Sequence, residues 1–294
     1  MQTLSKFADA RYSVRPLNGT IGARIENIDL GQPLGEDERE LFRRLLWQHK
    51  VLILPGQTGV GPSQPLDFAR SFGDPETAPH SVHPFVPGHP GVVVLRSNGV
   101  PIGTSAQPVD DSPPVPWDSW HTDGSTRGVD DFRWTSVLQA VDVPECGRDT
   151  LFADMEAAFS GLSQTLQDFL SGLTCVHSTS AAYLRAFGSV KSRSEKPTVT
   201  HPVVMRDAET GRGTLYVNRM YTTAIDGMRP DESEHLLEFL FLQTHRPEYQ
   251  LRVSWEPGTI VVWDNVKTQH YLVQDFVYPR VMHRVMANAR GLPS

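Results

Sequence analysis

The stretch Trp120-His121-Thr122-Asp123 places a histidine and an aspartate two positions apart. Side chains at i and i+2 of a strand point to the same face, so His121 and Asp123 can bind one metal ion from a single extended segment. A third ligand, His270, becomes available if a sheet folds back and brings its strand alongside. Two imidazoles and a carboxylate form a facial N,N,O set that suits Fe(II) and leaves positions open for a co-substrate and dioxygen. Taken alone, the pattern also fits two strand residues held by hydrogen bonds.

The composition is that of an ordinary globular protein and argues against several classes of function. The chain has 294 residues, of which 39% are hydrophobic and 21% charged, and no linker divides it. We therefore expect a single domain over residues 1–294, with a flexible N-terminus at 1–10. A formal net charge of −7 argues against nucleic acid as the main partner. No apolar run approaches the length of a membrane span.

The N-terminal residues and the cysteine content indicate the compartment. The sequence from Met1 to Leu17 lacks the apolar core of a secretory signal. Only two cysteines occur, Cys146 and Cys175, and they lack metal-ligand spacing. We expect a cytoplasmic protein in which both are buried apolar residues and no disulfide scaffold forms.

Hydrophobic periodicity predicts an α+β chain built around a β-sandwich or barrel. Amphipathic helices are predicted at 36–49, at 154–171 with Asp154 as N-cap, and at about 231–245 with Asp231 as N-cap. The predicted strands are short apolar runs, namely Val51–Leu54, Val92–Leu95, Val199–Met205, Thr214–Asn218, Gly258–Trp263 and Val281–Met286.

Residues 96–119 differ from the rest of the chain. They are rich in Pro, Gly, Ser and Asp, show no periodicity and run directly into the His-x-Asp segment. Loops of this length are typical of active-site covers or of disordered segments, and a plain surface loop is the other alternative. The position directly before two candidate ligands favours a lid.

Several further motifs occur in a characteristic order along nearly the whole chain. They are WHTD (120–123), GRDTLFAD (147–154), HPVV (201–204), TLYVN (214–218), WDNVKTQHY (263–271) and RVMHR (280–284), with weaker similarity beginning near Pro16. In this combination the chain resembles the taurine dioxygenase family of Fe(II)/2-oxoglutarate-dependent oxygenases. We predict that the ligands lie on a double-stranded β-helix (jelly roll) and that the three helices pack on its outer face.

The resemblance implies a binding site for 2-oxoglutarate. This keto acid chelates iron at one end, so its far carboxylate needs a cation at a fixed distance. Arg280 can supply a bidentate, permanently charged partner, although a surface ion pair is the alternative interpretation. Thr150 holds the threonine position of the family's GRDT motif and is expected to donate its hydroxyl to the same carboxylate.

The resemblance also implies residues that contact the prime substrate. In a strand Arg284 shares a face with Arg280, and it holds the family position that binds an anionic group. His83 matches a substrate-contacting histidine, and Tyr221 matches an aromatic pocket position. The alternatives are a solvent-facing arginine for Arg284 and ordinary core packing for Tyr221.

Two residues depart from the taurine-specific pattern and put taurine itself in doubt. Trp117 replaces a polar amide, and Gly124 replaces a branched apolar residue directly after Asp123. Trp117, Trp120 and Trp134 suggest an aromatic pocket, although tryptophans also pack in cores. A substrate with an apolar or aromatic body is therefore expected.

The expected function is hydroxylation of a C–H of a small organic anion, a carboxylate, sulfonate or sulfate ester, with C–heteroatom cleavage where the carbon bears a leaving group. The cofactor is Fe(II), with 2-oxoglutarate and O2 as co-substrates. Two alternatives remain: a biosynthetic tailoring oxygenase for a larger aromatic or peptide-derived metabolite, and a non-catalytic binding protein on the same scaffold. The expected partners are a small molecule and further copies of the chain in a homo-oligomer, with no nucleic acid and no membrane.

Overall fold

The computed structural model describes residues 11–77, 83–97, 119–128, 135–179, 198–208, 210–273, 275 and 278–288. The predicted flexible N-terminus (1–10), residues 98–118 of the predicted lid, Trp117 and Trp134 lie outside this part of the chain. Within it, seventeen strands and five α-helices form the α+β architecture that the sequence predicts.

The strands are short and most pair with neighbours distant in sequence. They are β1 (Ser13–Pro16), β2 (Ala23–Glu26), β3 (Val51–Leu54), β4 (Asp74–Pro75), β5 (Phe85–Val86), β6 (His89–Ser97), β7 (Thr135–Asp142), β8 (Thr150–Asp154), β9 (Thr174–Ser178), β10 (Thr198–Pro202), β11 (Val204–Arg206), β12 (Gly213–Leu215), β13 (Thr222–Ile225), β14 (Gln250–Val253), β15 (Ile260–Asp264), β16 (Thr268–Leu272) and β17 (Arg280–Asn288).

These strands form four sheets. The large sheet has the order β1-β2-β3-β15-β7-β17-β6-β5, with β4 paired to β17, and a three-stranded sheet has the order β14-β8-β16. Two smaller sheets, β10-β9-β13 and β11-β12, complete the set. Among the described strands only β2 and β3 pair in parallel, which rules out a doubly wound parallel sheet for this region.

The central strands β3 and β15 of the large sheet are buried on both faces, which explains why they read as continuous apolar runs. Successive side chains of a strand point to opposite faces. On β15, Ile260 and Val262 therefore enter one core, which the sheet shares with the N-terminal helices. Val261 and Trp263 enter a second core, which includes Phe152 of the three-stranded sheet. The second core places the large and three-stranded sheets face to face.

Helix α1 spans Glu36–His49, as predicted, and α2 spans Ser63–Ala69. The Glu38 side chain accepts a hydrogen bond from the backbone N–H of Gly35 at 2.7 Å, which satisfies a donor that the helix start leaves unpaired. Phe42 of α1 is fully buried against the large sheet. The helix ends at Lys50, whose left-handed backbone (φ 63°) turns the chain directly into β3.

The predicted helix at 154–171 is two helices, so that prediction was wrong in its extent. Asp154 caps α3 (Met155–Ser160), since its carboxylate accepts from two backbone N–H groups at 3.0 Å, as predicted. The helix is interrupted at Gly161, and Ser163 caps a new helix, α4 (Gln164–Leu170). Periodicity continues across the break because both helices bury their apolar faces in the same core.

The predicted helix at 231–245 and the predicted strand Val199–Met205 also differ from the structure. Helix α5 spans Pro230–Phe241 and continues as a 3-10 turn over Leu242–His245. Its N-cap is Arg229, not Asp231, because Pro230 occupies the first helical position, where no N–H is needed. The strand divides into β10 and β11 at Val203, whose N–H donates instead to Leu173 at 2.9 Å.

A buried ion pair joins the turn between β11 and β12 to the loop before β16, beside α1. Lys267 Nζ lies 2.8 Å from the Asp207 carboxylate, and both side chains are 5% exposed. The Trp47 indole donates to the same carboxylate at 3.2 Å, and Lys267 lies over the Trp47 ring. Burial would raise the pKa of Asp207, but Lys267 and the hydrogen bonds from Thr210 together outweigh that effect and hold the pKa below its usual range. No helix in the described residues combines the length and hydropathy needed to cross a membrane.

Candidate active site

Backbone pairing brings the His-x-Asp segment against β16. His121 and His270 form an antiparallel bridge in which each N–H donates to the other's carbonyl, at 3.1 and 2.9 Å. Thr122 is buried on the opposite side, where its hydroxyl donates to the Thr268 carbonyl at 3.1 Å. His121 and Asp123 therefore share one face, as the i, i+2 spacing predicts.

The three predicted metal ligands converge. One donor atom from each of His121, Asp123 and His270 lies within 4.8 Å of the other two. The Asp123 carboxylate is 3.9 Å from His121 Nε2 and 3.7 Å from His270 Nε2. The two imidazole rings are 4.2 Å apart between centroids. The arrangement leaves space for one ion between three donors.

Protonation in the structure suits a divalent metal. His121 Nδ1 lies 2.7 Å from the Ser119 carbonyl, which only accepts, so Nδ1 carries a proton and Nε2 is the ring nitrogen available to a metal. Burial, with added repulsion from His121 and Arg284, lowers the pKa of His270 to about 3 despite Asp123, and keeps this ring neutral. Two imidazoles and a carboxylate are donors that Fe(II) accepts.

The Asp123 carboxylate is ionised. Burial alone would raise its pKa, but nearby positive charge, that of Arg284 above all, lowers the pKa of Asp123 to about 2. Arg284 Nη1 donates to the Asp123 carboxylate at 3.1 Å. A charged arginine therefore lies beside the candidate metal ligands.

Two other predicted substrate residues also lie near the metal ligands. Burial and the nearby Arg284 charge lower the pKa of His83, which locates this histidine near Arg284. The Tyr221 ring lies 6.3 Å from the His121 ring, between centroids, in an edge arrangement. Trp120, by contrast, is 4% exposed and packs on Tyr271 in the core, so it does not contribute to an aromatic pocket.

Thr150 begins β8, and Arg280, which begins β17, contacts the turn that precedes β8. Thr150 is buried, and its Oγ1 accepts a hydrogen bond from the Trp255 indole at 3.0 Å. Arg280 donates to the Arg148 carbonyl at 3.1 Å. Burial, with repulsion from Arg148, lowers the pKa of Arg280 to about 10. Arg280 has no carboxylate partner among the described residues, so this guanidinium is available to bind the far carboxylate of 2-oxoglutarate.

Sequence reasoning missed three residues that support these positions. Ser119 fixes the His121 tautomer through its carbonyl, Arg148 is 1% exposed and orients Arg280, and Trp255 binds Thr150. Trp255 and Thr150 lie 105 positions apart, so neither periodicity nor motif spacing signals their contact. The backbone at Gly147 and Arg148 forms a left-handed turn (φ 82° and 58°). The only feature of the sequence that indicates this turn is the glycine of the GRDT motif.

Known proteins resemble this chain over nearly its whole length. Residues 13–286 match the taurine catabolism dioxygenase TauD, TfdA family. The chain is 31% identical over 291 residues to an alkylsulfatase of Acinetobacter baylyi, covering 94% of this chain and 84% of the relative. It is also 31% identical over 291 residues to an alpha-ketoglutarate-dependent sulfate ester dioxygenase of Pseudomonas putida, covering 92% and 88%.

A solved structure extends the similarity to the fold. A taurine dioxygenase from Burkholderia xenovorans superposes with a TM-score of 0.79 at 30% identity, covering 95% of this chain and 90% of that one. The family, the converging imidazole pair and the ionised carboxylate agree with the chemistry predicted from the sequence. The chain therefore belongs to the TauD, TfdA family and is a 2-oxoglutarate-dependent dioxygenase that uses Fe(II), 2-oxoglutarate and O2.

Proposed function

We propose that this enzyme oxidises small organic sulfate esters at the carbon that bears the sulfate oxygen. The observation that carries the proposal is the position of Arg284, 3.1 Å from the Asp123 carboxylate. Arg284 Nε is buried and has no hydrogen-bond partner among the described residues. A metal bound to Asp123 competes for that carboxylate, so the guanidinium then needs another anion. Both sulfate-ester relatives have an anionic substrate of this class in their names.

The other residues divide into two groups with different tasks. His121, Asp123 and His270 hold the iron, and Thr150 with Arg280 binds the far carboxylate of 2-oxoglutarate. When bound, iron with 2-oxoglutarate and O2 supplies the oxidising power that inserts oxygen into a C–H bond.

Arg284 holds the sulfate group and orients the substrate, while the His83 and Tyr221 rings line the pocket. A fixed sulfate presents its neighbouring carbon to the metal face of the pocket. The aromatic side chains suit an alkyl or aryl body.

Release of sulfate follows from the position of the new hydroxyl group. Hydroxylation places this group on the carbon that bears the sulfate oxygen. The C–O bond to sulfate then breaks with its electron pair on the sulfate oxygen, the hydroxyl proton leaves, and a C=O bond forms. A primary alkyl sulfate, 2-oxoglutarate and O2 thus give an aldehyde, hydrogensulfate, succinate and CO2. Arg284 stabilises the charge that develops on the leaving sulfate.

We further propose that the two facing sheets form a double-stranded β-helix (jelly roll), with α1 and α2 on the outer face of the large sheet. The shared core of the large and three-stranded sheets supports this arrangement. The proposed assembly is a cytoplasmic homo-oligomer of a single catalytic domain over residues 1–294, and light scattering after gel filtration tests the oligomer.

A substrate panel tests the proposed reaction. Purified enzyme with Fe(II), 2-oxoglutarate and O2 is given alkyl sulfates, sulfonates including taurine, aryloxy acids, amino acids and the parent alcohols. We expect succinate formation to rise most with alkyl sulfates, together with one sulfate released per turnover. The parent alcohols lack the sulfate group, so comparison with them shows whether the anion is required for turnover. Preference for a neutral aromatic compound would contradict the proposal and favour a tailoring oxygenase instead.

A further inference from the structure

The hydroxyl group of Thr150 has one defined contact in the described part of the chain. Its oxygen accepts the indole N–H of Trp255 at 3.0 Å. A hydroxyl group has one proton and two acceptor lone pairs. Because the indole only donates, this bond uses a lone pair and leaves the hydroxyl proton without an acceptor among the described residues.

Trp255 is held rigidly enough to fix that geometry. It is 5% exposed and packs in the core between the two facing sheets. It follows β14, which pairs with β8 along its length. The neighbouring Ser254 hydroxyl donates to the Asp149 carboxylate at 3.1 Å, and Arg252 pairs with the same carboxylate. The segment after β14 therefore braces two consecutive residues of the GRDT motif, Asp149 and Thr150.

The Arg280 guanidinium is fixed by the same turn. Its Nη1 donates to the carbonyl of Arg148, two residues before Thr150. Arg148 is itself buried and adopts the left-handed conformation. The Arg148 carbonyl thus orients the charged donor, Arg280, and the Trp255 indole orients the neutral donor, the Thr150 hydroxyl.

We propose that Trp255 is a positioning residue for 2-oxoglutarate: its indole N–H occupies the Thr150 oxygen and directs the hydroxyl proton toward the far carboxylate. This inference rests on the proposed 2-oxoglutarate site at Thr150 and Arg280. Without the indole, the hydroxyl rotates among several orientations, and binding must then restrict it at an entropic cost. The effect should be confined to ligands with a far carboxylate.

A double-mutant cycle on binding tests the inference. The dissociation constants of 2-oxoglutarate and of 2-oxobutyrate, which has the same keto acid end but no far carboxylate, are measured by calorimetry on the anaerobic Fe(II) protein. The variants are Thr150→Val, Trp255→Phe and the double variant. Trp47→Phe is the matched control, because it removes an indole hydrogen bond to Asp207 in another part of the molecule.

We expect Thr150→Val to weaken 2-oxoglutarate binding about tenfold and Trp255→Phe about fivefold. The double variant should match Thr150→Val alone, since Trp255 acts through that hydroxyl. Binding of 2-oxobutyrate should be unchanged in all variants, and Trp47→Phe should bind both keto acids like wild type. Replacing the Trp255 indole by benzothiophene, which keeps the bicyclic shape without the N–H, should reproduce the Trp255→Phe effect if packing is not its cause.

Three results would overturn the inference, and each differs from failure of the proposed 2-oxoglutarate site. Unchanged 2-oxoglutarate binding in Trp255→Phe, or equal weakening of both keto acids, would show that Trp255 is only a core residue. If the affinity of the double variant for 2-oxoglutarate falls by the product of the two single-variant losses, Trp255 does not act through Thr150. Unchanged binding in Thr150→Val and in Arg280→Gln would instead show that the proposed 2-oxoglutarate site is wrong, and the inference falls with it.

Discussion

Replacement of Arg284 by glutamine tests the assignment of the substrate anion. Glutamine keeps hydrogen-bond donors but removes the charge that faces Asp123 at 3.1 Å. The Arg284 side chain is 19% exposed, so its bond to a substrate anion is only partly screened by water. A charge-assisted hydrogen bond of this kind contributes about 1.5–3 kcal/mol. We therefore expect kcat/KM for an alkyl sulfate to fall about 10- to 150-fold, mainly through KM.

The assay compares coupled and uncoupled turnover. Aldehyde and sulfate report oxidation of the alkyl sulfate, and succinate formed without prime substrate reports the iron and 2-oxoglutarate sites. Uncoupled succinate formation should persist in Arg284→Gln. Arg219→Gln is the matched control, because Arg219 pairs with Glu238 on the exposed surface of α5. An unchanged KM in Arg284→Gln would refute the reasoning and make Arg284 a structural partner of Asp123.

Three further changes test the metal ligand set and the packing. Asp123→Ala should abolish succinate formation while cooperative unfolding persists, since it removes one of three ligands; wild-type turnover would contradict the ligand assignment. Asp207→Asn should lower the free energy of unfolding by about 3 kcal/mol at neutral pH, because it leaves a buried lysine unpaired. A carboxylate with a lowered pKa contributes stability that is lost as the pH falls through its folded pKa, so the stability difference between wild type and Asp207→Asn should narrow in acid. Denaturant unfolding at several pH values measures this difference, and a constant difference would exclude the ion pair as its cause. Gly213→Ala places a Cβ against the ring of Phe159 and should lower the free energy of unfolding by about 1–3 kcal/mol. Gly172→Ala is the control, because its Cβ would have no atom within 4 Å and should change stability little. Equal melting temperatures for the two variants would contradict the packing around Gly213.

Local patterns predicted the shared face of His121 and Asp123 and the first helix correctly. The i, i+2 spacing of His121 and Asp123 needs only strand geometry, and the bridge to His270 supplies that geometry. Helix α1 carries its own signals, an acidic first turn and a buried stripe that includes Phe42. In both cases the deciding interactions lie within one element or one pair of strands.

Features that depend on distant contacts were missed or wrong. The helical period continues through Gly161, and only the new cap at Ser163 shows that the helix restarts. The bond between Trp255 and Thr150 depends on the pairing of β14 with β8, which no local pattern reveals. The contact of Arg284 with Asp123 was not predicted, because it depends on how β17 sits against the His-x-Asp segment.

Location of the bound iron tests the central claim most directly. Crystals grown without oxygen and loaded with Fe(II) should give one anomalous peak at the iron edge in each chain. We predict that this peak lies about 2.0–2.2 Å from His121 Nε2, an Asp123 carboxylate oxygen and a His270 ring nitrogen. A peak bound by other residues, or a loaded enzyme in which His270 points away from His121, would contradict the account.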